Sequence, residues 1–234
     1  MKILQQNICW NNDNVVDMMN VLLKEEPDIL LFSEFAPQKH RKTITEYLNK
    51  ADYKIVMPEA WNSCKLSNQC WYTCVCMMAV NNHCGCNIQF EPIKREEIAL
   101  NLRYIAGTLK FGDMQPLHIF FIHAPQTIKV NTARMENKAE MIFSAYRFLK
   151  EHANTNIFIG GDFNIAMDGT TTMENLFKVL YREMIDTDTK KTSTWKNKRL
   201  DYALVSSDLK NTVKTTTIET SSDHKALLTE IAVI

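Results

Sequence analysis

The chain has 234 residues, 45% of them hydrophobic and 23% charged, the composition of a soluble globular protein that at this length can bury roughly 70–75% of its unfolded surface in one domain. Its 27 basic and 27 acidic side chains give zero formal net charge, so no global field draws it to a polyanion and any anion binding must be local. No apolar run approaches the ~18–20 residues that span a bilayer, and the first residues lack the features of an export signal, which excludes a membrane role and predicts a cytoplasmic protein.

Residues 2–9 read as a first strand. Residues 14–26 follow as an amphipathic helix with Val15, Met18, Met19, Leu22 and Leu23 on one face, Asp13 or Asn12 as its cap and Pro27-Asp28 as its terminator. The continuous apolar run Ile29–Phe32 has the pattern of a buried central strand and delivers Ser33 and Glu34 at its carboxyl end. A helix is predicted over 38–50 and a strand over 53–57. Four β-rich segments, 71–80, 87–91, 101–110 and 117–123, are separated by Asn-Asn, Gly and Pro turns, which predicts hairpins. A long helix over 130–152 is predicted to bury Ala139, Ile142, Phe143, Tyr146 and Leu149. A strand at 156–160 then runs into two glycines taken to form a tight turn, and a helix spans 172–184. The last strands are 200–205, paired with 212–218, and 226–233. This mixture predicts a layered α/β protein with much antiparallel pairing and one domain over 1–234.

Five of seven cysteines lie between Cys70 and Cys86, in the spacing C-x3-C-x-C-x6-H-C-x-C that includes Cys74, Cys76, His83 and Cys84. Thiolates and imidazole are the usual ligands of closed zinc sites, but paired C-x2-C knuckles are missing. The stronger reading places Cys74 and Cys76 on one face of a strand, packing as small hydrophobes.

Polar groups recur at predicted strand ends. Asn7 lies in the first strand, Glu34 ends the second and His123 the run Phe120–Ile122; Asp162 and Asn164 stand in Gly-Gly-Asp-Phe-Asn, Asp201 in Arg-Leu-Asp-Tyr, and Asp223 and His224 in Ser-Ser-Asp-His. Each has a plain explanation alone: a buried amide tying strands, a turn with an Asn cap, a hydrogen-bonded histidine, an exposed ion pair. Together they are costly in a core unless they meet one another or a cation.

In order and local sequence these residues resemble the motifs of the endonuclease/exonuclease/phosphatase superfamily, the deoxyribonuclease-I-like family that includes exonuclease III and apurinic/apyrimidinic endonucleases. The matching stretches are LQQN at Asn7, LLFSE at Glu34, the strand-end His123, GDFN at Asp162 and Asn164, TSTW leading to RLDYALVS at Asp201, and SDH at Asp223 and His224. The resemblance implies a two-sheet α/β sandwich with flanking helices and an active site at one edge between the sheets. It implies Mg²⁺ or Mn²⁺ held by Glu34, Asn7 and Asp223, since hard cations prefer oxygen ligands. Asp162 would orient and deprotonate an attacking water while Asn164 holds that water or a phosphate oxygen; His224, oriented by Asp201, would face the transition state as a charged donor; His123 would supply a second donor.

In pancreatic-type deoxyribonucleases the strand-end histidine is partnered by a carboxylate from a strand corresponding to 71–76; Trp71, Tyr72 and Thr73 stand there, so a second acid–histidine pair is not expected. Residues 58–70 match no family motif. The basic segment 190–199, with Trp195, Lys196 and Lys198, and an exposed Trp61 favour nucleic acid as substrate over a phosphomonoester or a lipid head group. An inert interaction module is disfavoured because every motif position is filled.

Overall fold

The computed structural model describes residues 1–35, 40–58, 61, 75–84, 91–92, 102–110, 115–126 and 132–232. Two six-stranded sheets face each other. The first contains β1 (Lys2–Asn7), β2 (Ile29–Phe35), β3 (Tyr53–Val56), β4 (Val75–Asn81), β11 (Val213–Ile218) and β12 (Ala226–Ile231), in the order β11-β12-β1-β2-β4-β3. The second contains β5 (Glu91–Pro92), β6 (Tyr104–Leu109), β7 (Leu117–His123), β8 (Asn156–Asp162), β9 (Ile185–Asp186) and β10 (Asp201–Val205), in the order β5-β6-β7-β8-β10-β9. Helices α1 (Val15–Lys24) and α2 (Arg41–Lys50) pack on the outer face of the first sheet, and α3 (Thr132–Glu151) and α4 (Thr172–Arg182) on that of the second. The architecture is the expected α/β sandwich.

Strand alternation partitions the apolar residues. Ile3, Ile29, Leu31, Ile119, Phe121, Phe158, Ala203 and Val205 fill the space between the sheets, whereas Leu4, Leu30 and Phe32, and Phe120, Ile122 and Ile159, face the helices. Each sheet has one parallel pair at its centre, β1 with β2 and β7 with β8, so four strands end at the same edge of the sandwich. The parity that buries Ile3, Phe121, Phe158 and Ala203 also turns Asn7, His123, Asp162 and Asp201 inward. Polar strand ends therefore meet across the gap.

Glu34 breaks that rule. The register of β2 against β4 shifts between Phe32 and Phe35, and Glu34 has φ 56°, so an extra residue sits in the strand as a bulge. Phe32 and Phe35 both keep to the helix-facing core, while the parity of Glu34 is reset to the inter-sheet side. Gly160 and Gly161 form no turn; they lie within β8. A Cβ on Gly161, at φ +126°, would stand 1.9 Å from the Ile122 carbonyl oxygen, and one on Gly160 would meet Gln5 Oε1 at 2.3 Å. They permit close approach of neighbouring strands and of the facing sheet.

Several expectations are corrected. The segments 200–205 and 212–218 do not pair: β10 lies between β8 and β9, while β11 pairs with β12 in the other sheet, and a short 3-10 turn, Ser207–Leu209, carries the chain across. On α3 the buried face is Lys138, Met141, Ile142, Ala145, Phe148 and Leu149, whereas Phe143 is 52% exposed. The α1 cap is Asn14, and Asn12 supports it by accepting from the Asn14 backbone. Trp61 is buried in the core with the Arg41 guanidinium 5.5 Å over its ring. Cys76 is buried between the sheets, and the His83 ring is bound to Asp52 at the surface. No cysteine joins a metal-competent group among the described residues. Cys70, Cys74 and Cys86, and Trp71 to Thr73, lie outside them. No helix of the described residues is long and apolar enough to cross a membrane.

Candidate active site

Asp162 is the centre of the cluster. Its Oδ1 accepts the Asn164 backbone N–H at 2.8 Å and its Oδ2 accepts Asn7 Nδ2 at 3.0 Å, across the gap from the other sheet. Burial, with the charge of Asp201 adding to it, pushes its carboxyl up to about 6. Asn7 Nδ2 also faces Glu34 Oε1 at 3.2 Å, and Asn7 Oδ1 accepts the Cys9 N–H at 2.9 Å. Asn7 therefore ties Glu34 to Asp162 through its amide nitrogen.

Burial alone would raise the Glu34 carboxyl. The His123 ring, the Trp10 backbone N–H on Oε2 (3.1 Å) and Asn7 outweigh it and hold the group at about 2, a firmly ionised carboxylate. His123 Nε2 lies 3.3 Å from Glu34 Oε1 and 3.8 Å from Asp162 Oδ2.

Beside Asp162 stands a second histidine. Asp201 and Asp162 are cross-strand partners, and His224 Nδ1 meets Asp201 Oδ2 at 2.7 Å with both side chains buried. Burial pulls the His224 ring down, but the charge and hydrogen bond of Asp201, with Asp162 contributing, prevail and raise it to about 9. At neutral pH it is an imidazolium. Thr194 Oγ1 receives the backbone N–H groups of Leu200 and Asp201, fixing the entry to β10, and Gln6 Nε2 donates to the His224 carbonyl at 3.0 Å. Glu34, His123 and Asp162 bring ligand atoms within 4.8 Å of one another, as do Asp162, Asp201 and His224.

The whole chain superposes on solved structures. A 3′ phosphatase from Neisseria, bound to product DNA hairpin, matches with TM-score 0.74 at 16% identity over 100% of both chains. An AP endonuclease from Archaeoglobus fulgidus matches at 0.72 and 15%, again over 100% of both. The human Nocturnin catalytic domain with bound sulfate matches at 0.67 and 16%, over 99% of this chain and 94% of the other. This chain has the deoxyribonuclease-I-like fold. No protein-family model and no curated protein sequence matches it, so the likeness is one of shape.

Within this deoxyribonuclease-I-like sandwich, Asn7, Glu34, His123, Asp162, Asp201 and His224 meet at one edge. Asn164 joins them through its backbone, at φ 51°, while its Nδ2 donates to the Ala124 carbonyl and its own carbonyl accepts from Lys138 Nζ at 2.9 Å. Asp223 stands slightly apart: its Oδ2 accepts Trp195 Nε1 at 3.0 Å, and it reaches the cluster through Cys9, whose thiol burial pushes up to about 11, with Asp223 and Glu34 adding to the effect. Trp195 is half-buried, tilted against the His224 ring with Lys196 Nζ 4.3 Å over its own. It stands in a tight loop in which Lys198 N–H donates to the Trp195 carbonyl, and Lys196 and Lys198 are exposed.

Three participants were missed by sequence reasoning. Lys138, wholly buried on α3, is pulled down to about 8 by burial and pins the Asn164 backbone. Trp10 is 62% exposed beside Glu34. Arg103, in the turn before β6, faces His123 Nδ1 at 3.1 Å. A lysine at a core position of an amphipathic helix was a usable signal for the first; the other two depend on tertiary contact.

Proposed function

We propose that this chain is a divalent-metal-dependent phosphoesterase, and specifically a nuclease. The observation that carries the reading is the convergence on Asp162 of an ionised carboxylate, Glu34, and an acid-supported imidazolium, Asp201–His224, from both sheets. Phosphoryl transfer needs these charges together: an anion to hold a cation, a base for water, and a cationic donor for the phosphoryl oxygens.

The ionised Glu34 carboxylate offers hard oxygens that suit Mg²⁺ or Mn²⁺. Glu34 would hold the ion, with Asn7 beside it and Asp223 nearby. Such an ion, when bound, neutralises charge growing on the phosphoryl oxygens. Asp162, titrating near neutrality and aligned by the Asn164 N–H, takes the proton of the attacking water as its oxygen bonds to phosphorus. His224 donates to a phosphoryl oxygen, and His123 presents a further N–H towards the same space. The P–O ester bond breaks, the oxygen of the attacking water stays on phosphorus, the leaving oxygen takes a proton from solvent, and the proton held by Asp162 returns to solvent.

Nucleic acid is favoured by the exposed Lys196 and Lys198, which can meet phosphates, and by Trp195 and Trp10, which can stack on bases. Structural relatives include a 3′ phosphatase bound to a DNA hairpin and an AP endonuclease. Purified protein should cut at least one of plasmid, single-stranded DNA, RNA or abasic duplex with Mg²⁺ or Mn²⁺, lose that activity in EDTA, and need far more metal as Glu34→Ala. Full activity in EDTA refutes the metal-dependent reading, and turnover of p-nitrophenyl phosphate alone redirects it to a small phosphate ester.

A further inference from the structure

His123 sits between two kinds of neighbour. On its Nε2 side are the carboxylates of Glu34 and Asp162, at 3.3 and 3.8 Å. On its Nδ1 side is Arg103, whose NH1 lies 3.1 Å from the ring nitrogen and 3.5 Å from the His123 carbonyl oxygen. A guanidinium has only hydrogens to offer and does not lose its proton in proteins, so the nitrogen facing it must offer a lone pair. The carboxylates require the reverse of the other nitrogen, since a bare Nε2 would set lone pair against lone pair. Both sides demand one tautomer: Nδ1 bare and Nε2 carrying the hydrogen.

The Arg103 backbone is held firmly enough to impose this. Its carbonyl accepts the His123 N–H at 2.8 Å and Cys76 Sγ at 3.1 Å, and the adjoining Leu102 carbonyl accepts the Cys76 N–H at 2.7 Å. The turn before β6 is thus fastened to both β4 and β7, one strand from each sheet.

We infer that Arg103 is a positioning and metal-specificity residue, which locks the His123 hydrogen on Nε2 and so withholds the ring from any cation held by Glu34 beside Asp162. An imidazole ligates metal through a bare nitrogen, and the bare nitrogen here points at Arg103, away from the carboxylates. Three side chains with ligand atoms close enough for a mixed nitrogen–oxygen centre, of the kind that retains Zn²⁺ or Co²⁺, are reduced to an oxygen-only site that suits Mg²⁺ and Mn²⁺. The His123 N–H is kept for the substrate. This rests on the proposed metal-dependent phosphoesterase reading for its purpose, but the tautomer does not depend on that reading.

The test is nitrogen NMR of the metal-free protein labelled at histidine, with the His123 ring signals assigned by their loss in His123→Gln. Protonated and bare ring nitrogens resonate far apart, so the tautomer is read directly. Wild type and Arg103→Gln, which can still donate, should show hydrogen on Nε2 only; hydrogen on Nδ1 in the wild type, alone or with Nε2, overturns the inference. Arg103→Glu, which accepts from Nδ1, should place hydrogen on Nδ1, leaving Nε2 as the nitrogen that a cation can take on loss of its proton, and raise Zn²⁺ and Co²⁺ affinity relative to Mg²⁺, by calorimetry, on the order of 10-fold or more. Adding His123→Gln should abolish that gain. An unchanged zinc-to-magnesium ratio in a folded Arg103→Glu protein overturns the specificity role. Hydrolysis by the wild type is a separate readout: its absence counts against the phosphoesterase reading and leaves the tautomer result standing.

Discussion

Two histidines stand on either side of Asp162, both buried and both supplied from the same edge of the sandwich, yet their rings are held in opposite ways. His224 gives its Nδ1 to a carboxylate, Asp201, and is raised to about 9. His123 has its Nδ1 against a guanidinium, Arg103. The ring is the same, and the group behind it differs, an acceptor behind His224 and a donor behind His123. A sequence motif that records only the histidine misses that difference.

The sharpest way to break the comparison is to remove each ring. Asp201→Ala and His224→Ala should each lower kcat by a factor on the order of 10²–10⁴, and the double variant should be scarcely worse because the two act as one unit. His123→Ala should cost less, on the order of 10² or below, since it removes a donor that no carboxylate supports from behind. Multiplying losses at Asp201 and His224 would separate them, and an equal loss at His123 would erase the distinction.

A smaller effect is expected in the pH profile. His224 acts when protonated and its pKa is raised, so its contribution is complete below 6.5 and is lost as pH rises through about 9; stability from the pair follows the same window. The alkaline limb of kcat/KM should therefore fall near 9, and in Asp201→Asn it should move down towards the ordinary histidine value. Arg103→Gln should leave that limb in place. A limb unmoved by Asp201→Asn would show that the dyad does not set it.

The smallest effects belong to substrate contacts. Lys196→Ala with Lys198→Ala should raise KM for nucleic acid and flatten its log–log salt dependence by roughly one unit per lost phosphate contact, with kcat little changed. Trp10→Ala should also act on KM, because only its backbone touches Glu34. Trp195→Ala should lower kcat as well, since its indole holds Asp223 and lies against His224. A pure KM effect at Trp195 would mean that those contacts do not govern the chemistry.

Much of this was legible in the sequence because strands write their orientation with a period of two. His123 and Asp162 end, and Asp201 begins, a strand whose other buried inward residues carry no polar side chain, so a polar group at that position is conspicuous; in β1 the inward Gln5 already precedes Asn7. Glu34 was found by its place after an apolar run, but the bulge that turns it inward leaves no trace in the hydrophobic pattern. On α3 the apolar face was misjudged because Phe143 is exposed and the core accepts Lys138, whose amine has the Asn164 carbonyl as partner. The pairing of 200–205 with 212–218 failed because neighbours in sequence were assumed to be neighbours in a sheet. Arg103 was invisible because what matters about it, the ring it faces, is fixed by strands far apart in the chain.

The position of the cluster between the sheets has a mechanical consequence. Asn7 and Glu34 belong to one sheet, and His123, Asp162 and Asp201 to the other. The reacting edge is therefore a seam, crossed by Asn7 with Asp162 and, one layer deeper, by Gln5 with the Tyr202 carbonyl. A cation or phosphate gripped there works as a rivet, and its free energy of binding resists the parting of the two sheets. Amide exchange in β1 and β8 should slow together when the site is filled, while the outer faces under α2 and α4 change least.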